Sequence, residues 1–129
     1  DQMDKAVQES IDTGLTEKPA GSAVLVAESI QGKELGFIHL QTDTDFFTHE
    51  DHGHVSDIIV TEEGEGKGVG RALMRAAEDW ARGKGHRLLT LNVFGDNTRA
   101  VGLYKRLGYR SDLTKMVKEI PPSDAGVLP

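Results

Sequence analysis

The stretch from Val55 to Phe94 constrains the fold more than any other part of the chain. Val55-Ser56-Asp57-Ile58-Ile59-Val60 reads as a strand, Thr61 to Gly70 as a glycine-rich loop, Arg71 to Gly83 as a helix, and Leu88 to Phe94 as a second strand. The helix carries Leu73, Ala76, Ala77 and Trp80 on one stripe, and Gly83-Lys84-Gly85 stops it. A strand, a helix and a strand joined by short links form a crossover unit, which returns its second strand parallel to its first.

Upstream, Ala23 to Ala27 and Leu35 to Leu40 are apolar runs flanking the turn Gln31-Gly32-Lys33-Glu34, and they predict an antiparallel hairpin. Met3, Ala6, Val7 and Ile11 fall on one face of a helix over residues 3–13, and Glu17 to Gly21 reads as loop. Thr42 to Gly53 is polar, acidic and His-bearing around Phe46-Phe47, and reads as a long loop. Downstream, Asn97 offers N-cap chemistry to a helix with Ala100, Leu103, Tyr104 and Leu107 on one face, and Gly108 is its C-cap candidate. Short strands are expected at Tyr109-Arg110 and from Lys115 to Ile120, with a tail from Pro121. The fold class is α/β (α+β), a mixed sheet of antiparallel then parallel strands flanked by helices. One domain is expected over residues 1–120, followed by a tail over 121–129.

Composition narrows the function. The chain has 15 basic and 21 acidic side chains, a formal net charge of −6, which argues against nucleic acid or an anionic membrane as partner and suits a cationic small molecule or basic peptide. Cysteine is absent, which excludes disulfides, thiolate metal sites and a cysteine nucleophile, and fits a reducing, cytoplasmic setting. No apolar run reaches the ~18 residues of a membrane span. Asp1-Gln2-Met3-Asp4 lacks the pattern of a signal peptide. His49, His52 and His54 do not have the spacing of a zinc site, so no metal is expected.

The loop Gly64-Glu65-Gly66-Lys67-Gly68-Val69-Gly70 leads into a helix N-terminus, where unpaired amides and the positive end of the dipole favour an anion. Lys67 and Arg71 add positive charge. The loop is not a P-loop, because Gly66-Lys67 is followed by Gly68 rather than Ser or Thr. It is not a dinucleotide fingerprint either, because the last glycine position holds Val69 or Arg71.

Residues 65–70 do resemble the acyl-CoA motif of the GNAT superfamily of N-acetyltransferases, Arg/Gln-x-x-Gly-x-Gly/Ala, with Glu65 in place of the usual Arg or Gln. Asn97 to Tyr109 is similar to the family's second motif, Asn-x-x-Ala-x-x-x-Tyr-x-x-x-Gly-Phe/Tyr. The resemblance spans roughly residues 22–120. The family also carries a strand and helix ahead of the segment at 3–13, so the N-terminal part is expected to be short.

The resemblance implies an N-acetyltransferase that moves the acetyl group of acetyl-CoA directly to a primary amine, in a chain that is frequently a homodimer. It implies that Glu65, Gly66, Lys67, Gly68, Val69, Gly70 and Arg71 surround the coenzyme pyrophosphate. The main chain of Ile58, Ile59 and Val60 would hold the pantetheine arm, with Asn97 as a further contact. Tyr104 matches the family's general acid; on its own residues it reads equally as an amphipathic core tyrosine. Asn97 reads equally as a helix cap. His54 stands where histone-acetylating members carry a Glu base, and reads either as that base or as a partly exposed strand-end histidine. Ser56 stands where polyamine-acetylating members carry Glu. Asp57 is expected on the opposite strand face from both. The loop over 42–54 borders the acceptor site on one reading and is a solvated loop on the other. The alternative for the whole chain is a non-catalytic, CoA-binding regulatory module.

Overall fold

The computed structural model describes residues 11–18 and 21–123, which form two compact units, one ending at Phe94 and the other beginning at Gly95. In the first unit a five-stranded sheet runs in the order β1 (Ile11–Lys18), β2 (Ser22–Glu28), β3 (Glu34–Thr44), β4 (Asp51–Val60) and β5 (Leu89–Leu91). Helix α1 (Val69–Gly83) connects β4 to β5. The first four strands pair antiparallel in succession, and β4 pairs parallel with β5, as a short crossover requires.

Alternation along the strands sets the core. Ala23, Leu25 and Ala27 of β2, Ile38 and Leu40 of β3 and Val55 of β4 are buried, and so are Val69, Ala72, Leu73, Met74, Ala77, Trp80 and Ala81 of α1. The helix packs against β2, β3 and β4. The small residues bring it close: a Cβ on Gly53 would stand 3.1 Å from Trp80 and 3.5 Å from Ala81. The second unit holds α2 (Thr98–Arg106), capped by Asn97, whose side chain accepts from the Ala100 amide at 3.2 Å. Gly108 follows its end at φ 97°, and the Tyr109 amide donates to the Tyr104 carbonyl at 2.9 Å.

Several expectations are corrected. Residues 3–10 of the expected N-terminal helix lie outside the described residues, but Ile11 to Thr13 belong to β1, as do Glu17 and Lys18, which read as loop. A strand in this register satisfies its backbone against β2. The long loop over 42–54 is mostly hairpin: Thr42 to Thr44 pair with Asp51 to Gly53, leaving 45–50 as the turn. The strand expected from Leu88 to Phe94 is confined to Leu89–Leu91. No strand forms at 109–110 or 115–120, where the chain has no regular secondary structure and Met116, Val117 and Ile120 are exposed.

Candidate active site

Two features meet at the end of β4. The first is a fork. β5 accompanies β4 only from Gly53↔Leu89 to Val55↔Leu91, so β4 runs on from Ser56 to Val60 without it. Ile58 and Val60 are half-buried there and Ile59 is 52% exposed. The fork begins at a β-bulge. His39 pairs with Asp57 but Leu40 pairs with Val55, so Ser56 is the extra residue.

The bulge corrects the expected alternation. His39 and Gln41, two apart on β3, share a face, and their partners are Asp57 and His54. Asp57 therefore lies on the same face as His54, with its carboxylate 3.9 Å from His39 Nδ1. This face lies opposite the one that α1 covers.

The second feature is the glycine loop. Gly64 allows the loop to press on the sheet, since a Cβ there would stand 2.6 Å from the Leu35 carbonyl. The Thr61 amide donates to that same carbonyl at 2.9 Å, anchoring the loop's start. Gly68 is the N-cap of α1 at φ 79°, a conformation that L side chains rarely adopt, and no side chain caps the helix. The first-turn amides are thus left for a ligand. A Cβ on Gly66 would meet nothing within 4 Å, so the surface above the loop is open. Glu65, Gly66 and Lys67 are exposed, and Val69 is buried as the first core residue of α1. Arg71 lies in the first turn and is half-buried. Beside them Glu63 pairs with Lys33, which together with Lys67 holds its carboxyl below the usual range.

His54 sits inside β4 rather than at a strand end, cross-paired with Thr90 of β5. Its Nδ1 is 2.7 Å from Thr90 Oγ1, and the Thr90 hydroxyl donates to the Gly53 carbonyl at 3.4 Å. The short contact at Nδ1 holds the imidazole ring in place and leaves Nε2 without a partner among these hydrogen bonds. Thr90 was missed in the sequence reading. Its signal is a lone hydroxyl residue within the apolar run Leu88-Leu89-Thr90-Leu91.

The tip of the β3–β4 hairpin stands elsewhere. Phe46 and Phe47 are 84% and 86% exposed and meet edge to face, with centroids 5.3 Å apart. The tip lies at the end of β4 opposite the glycine loop, about 30 Å away along ten residues of strand. His52 and His54 lie on that strand, while His49 is in the turn at φ 59°.

In the second unit Tyr104 is half-buried on α2, with the Tyr109 ring edge-on at 6.1 Å. Burial raises its phenol above the ordinary value of 10.0, so it is protonated throughout the neutral range.

The motif residues on the glycine loop and on α2 match one family across most of the chain. The profile of the Acetyltransferase (GNAT) family matches residues 2–109. The chain belongs to the GNAT family. This GNAT chain is 37% identical over 91 residues to a mycothiol acetyltransferase of Arthrobacter sp., covering 70% of the chain and 28% of that protein. It is 44% identical over 55 residues to the streptothricin acetyltransferase of Streptomyces lavendulae, covering 43% of the chain and 29% of the relative. A solved Pyrococcus furiosus protein assigned as an acetyl transferase superposes with a TM-score of 0.73 at 31% identity, over 78% of this chain and 67% of that one. The GNAT chain spans only about a quarter of the length of the first curated relatives it matches, 24% to 28%. Among the described residues no helix is long and apolar enough to cross a membrane.

Proposed function

We propose that the chain transfers an acetyl group from acetyl-CoA to a primary amine by direct attack of the amine on the thioester. The observation that carries this reading is the fork in β4 ending at a glycine loop whose helix has no side-chain cap. A strand edge without a partner offers amides and carbonyls to a pantetheine arm, and uncapped amides suit a pyrophosphate. The residues fit the coenzyme: Gly66 leaves space over the loop, Gly68 starts the helix without a side-chain cap, and Lys67 and Arg71 bring positive charge to it.

In this reading the main chain of Ile58, Ile59 and Val60 binds the arm, and the amides of Gly66, Lys67, Gly68, Val69 and Gly70 bind the pyrophosphate. Asn97 caps α2 through its side-chain oxygen, and the amide nitrogen contacts the coenzyme. The coenzyme supplies an activated acyl thioester. His54, its ring held at Nδ1 by Thr90, takes the proton of the attacking amine through Nε2. Tyr104, kept protonated by burial, gives a proton to the departing thiolate. The chain has no cysteine to carry the acetyl group, which favours direct transfer. The names of the mycothiol and streptothricin relatives support a small-molecule acceptor. We place the protein in the cytoplasm on its cysteine-free composition; the resemblance makes a homodimer one assembly to test, since dimers are frequent in the family.

Calorimetry with acetyl-CoA, followed by thiol release across an amine panel, tests the reading. Binding and thiol release are expected. Tyr104→Phe should lower kcat by roughly 10²-fold or more with coenzyme affinity unchanged. Absence of binding at millimolar acetyl-CoA overturns the function, and an unchanged kcat removes Tyr104 from it. Binding without turnover of any amine would favour the regulatory module.

A further inference from the structure

On the face of the sheet that carries His54, three polar side chains form a chain with a fixed direction. Ser56 Oγ donates to Gln41 Oε1 at 2.6 Å, and Gln41 Nε2 donates to Asp43 Oδ1 at 2.7 Å. All three are half-buried. The direction is set from the far end. A carboxylate only accepts, so the Gln41 amide must turn its nitrogen to Asp43 and its oxygen to Ser56. The single proton of Ser56 is then committed to Gln41. What Ser56 offers outward is oxygen lone pairs.

The position matters as much as the direction. Ser56 is the extra residue of the bulge and the first residue of β4 beyond its last pair with β5, Val55↔Leu91. Two residues back, the His54 ring is held at Nδ1 by Thr90. The mouth of the fork therefore holds a hydroxyl acceptor whose proton is turned away, beside an imidazole. Asp57 adds a carboxylate on the same face. Such a set recognises a group that only donates, and a primary ammonium is one, with three N–H bonds and no lone pair.

We propose that Ser56 binds the acceptor amine, and that Gln41 and Asp43 are positioning residues that hold its hydroxyl as an acceptor. This deepens the acetyltransferase reading and rests on it for the identity of the ligand. The substrate class that fits is an alkylammonium remote from any carboxylate, since an adjoining carboxylate would meet Asp43 and Asp57 with like charge.

The test uses the whole chain labelled with 15N, n-propylammonium chloride as probe, and the Gln41 side-chain amide signals as readout. The titration is run with and without coenzyme A, against potassium chloride at matched ionic strength. A saturable shift is expected in the native chain and in Ser56→Thr. Ser56→Ala should weaken the probe's binding about tenfold or more, as loss of a hydrogen bond to a charged group does. Asp43→Asn lets the Gln41 amide turn over, and should weaken binding in the same direction by a smaller factor. No saturable shift in the native chain, or an undiminished one in Ser56→Ala, overturns the proposal. Whether coenzyme A binds is read separately by calorimetry. A failure there counts against the acetyltransferase reading, while the titration without coenzyme still decides Ser56.

Discussion

The two faces of the sheet are built on different principles. The face under α1 is apolar and close-packed: Ile38 and Leu40 meet Val69, Leu73 and Met74, all of them at most 1% exposed. The opposite face, across β3, β4 and β5, is half-exposed and polar, and its order comes from hydrogen bonds, directed from Ser56 to Gln41 to Asp43, with a second contact between His54 and Thr90. Apolar packing is non-directional, so the first face sets the stability of the fold without specifying any protonation state. A chain of directed hydrogen bonds contributes only modest net stability but decides which atoms carry protons. The same strands thus separate holding the fold from preparing a site.

The largest effect expected from this contrast is on the packed face. Leu73 is fully buried in the middle of α1, and Leu73→Ala leaves a cavity between helix and sheet. Destabilisation of roughly 2–5 kcal/mol is expected in urea unfolding. Coenzyme affinity per folded molecule should stay the same, because the residue contributes only packing. A tenfold loss of affinity with little loss of stability would break the division between the faces.

A smaller effect is expected on the polar face. Thr90→Val keeps the shape but removes the hydroxyl that holds the His54 ring at Nδ1. The imidazole then loses the partner that orients it, and kcat should fall about tenfold, while stability changes by no more than about 1.5 kcal/mol. Thr90→Ser should restore the rate, since it restores the hydroxyl. If Thr90→Val destabilises the protein as much as Leu73→Ala does, the polar face is part of the core and the contrast fails.

Much of the packed face was legible in the sequence, because apolar period and burial are the same fact seen twice. The stripe of α1, the alternation in β2 and β3 and the parallel return of β5 all follow from local spacing. The polar face was legible only in its residue types. His54 and Ser56 stood out, but Asp57 was placed on the wrong side, because alternation holds only while each residue has one partner. The bulge at Ser56 is a property of the pair β3–β4, and nothing local to Val55–Val60 announces it. The hairpin over 42–54 was hidden for a related reason. Its strands are polar on both faces near the tip, so hydrophobic period is silent, and cross-strand pairs such as Thr44 with Asp51 hold it, at 2.7 Å. The directed chain was out of reach, because Gln41 gains its meaning only from Asp43 and Ser56.

The smallest expected effect lies at the end of β4, where the two faces meet the glycine loop. Glu65 departs from the family's motif, and its exposed carboxylate adjoins the amides expected to bind a pyrophosphate. Like charges separated by roughly 8 Å in water repel by about 0.5 kcal/mol, and salt screens most of that. Glu65→Gln should therefore tighten coenzyme binding about two-fold at low ionic strength, and the gain should shrink in 0.5 M salt, where screening is about complete beyond a few ångströms. Glu63, two residues earlier, supplies the control. Its charge is already matched by Lys33, so Glu63→Gln should alter affinity less than Glu65→Gln does. Equal gains from the two substitutions would mean that the loop responds only to total charge. A gain confined to Glu65 would place the coenzyme's anionic group over the uncapped start of α1, and would tie the field at that end to one helix turn rather than to the acidic chain as a whole.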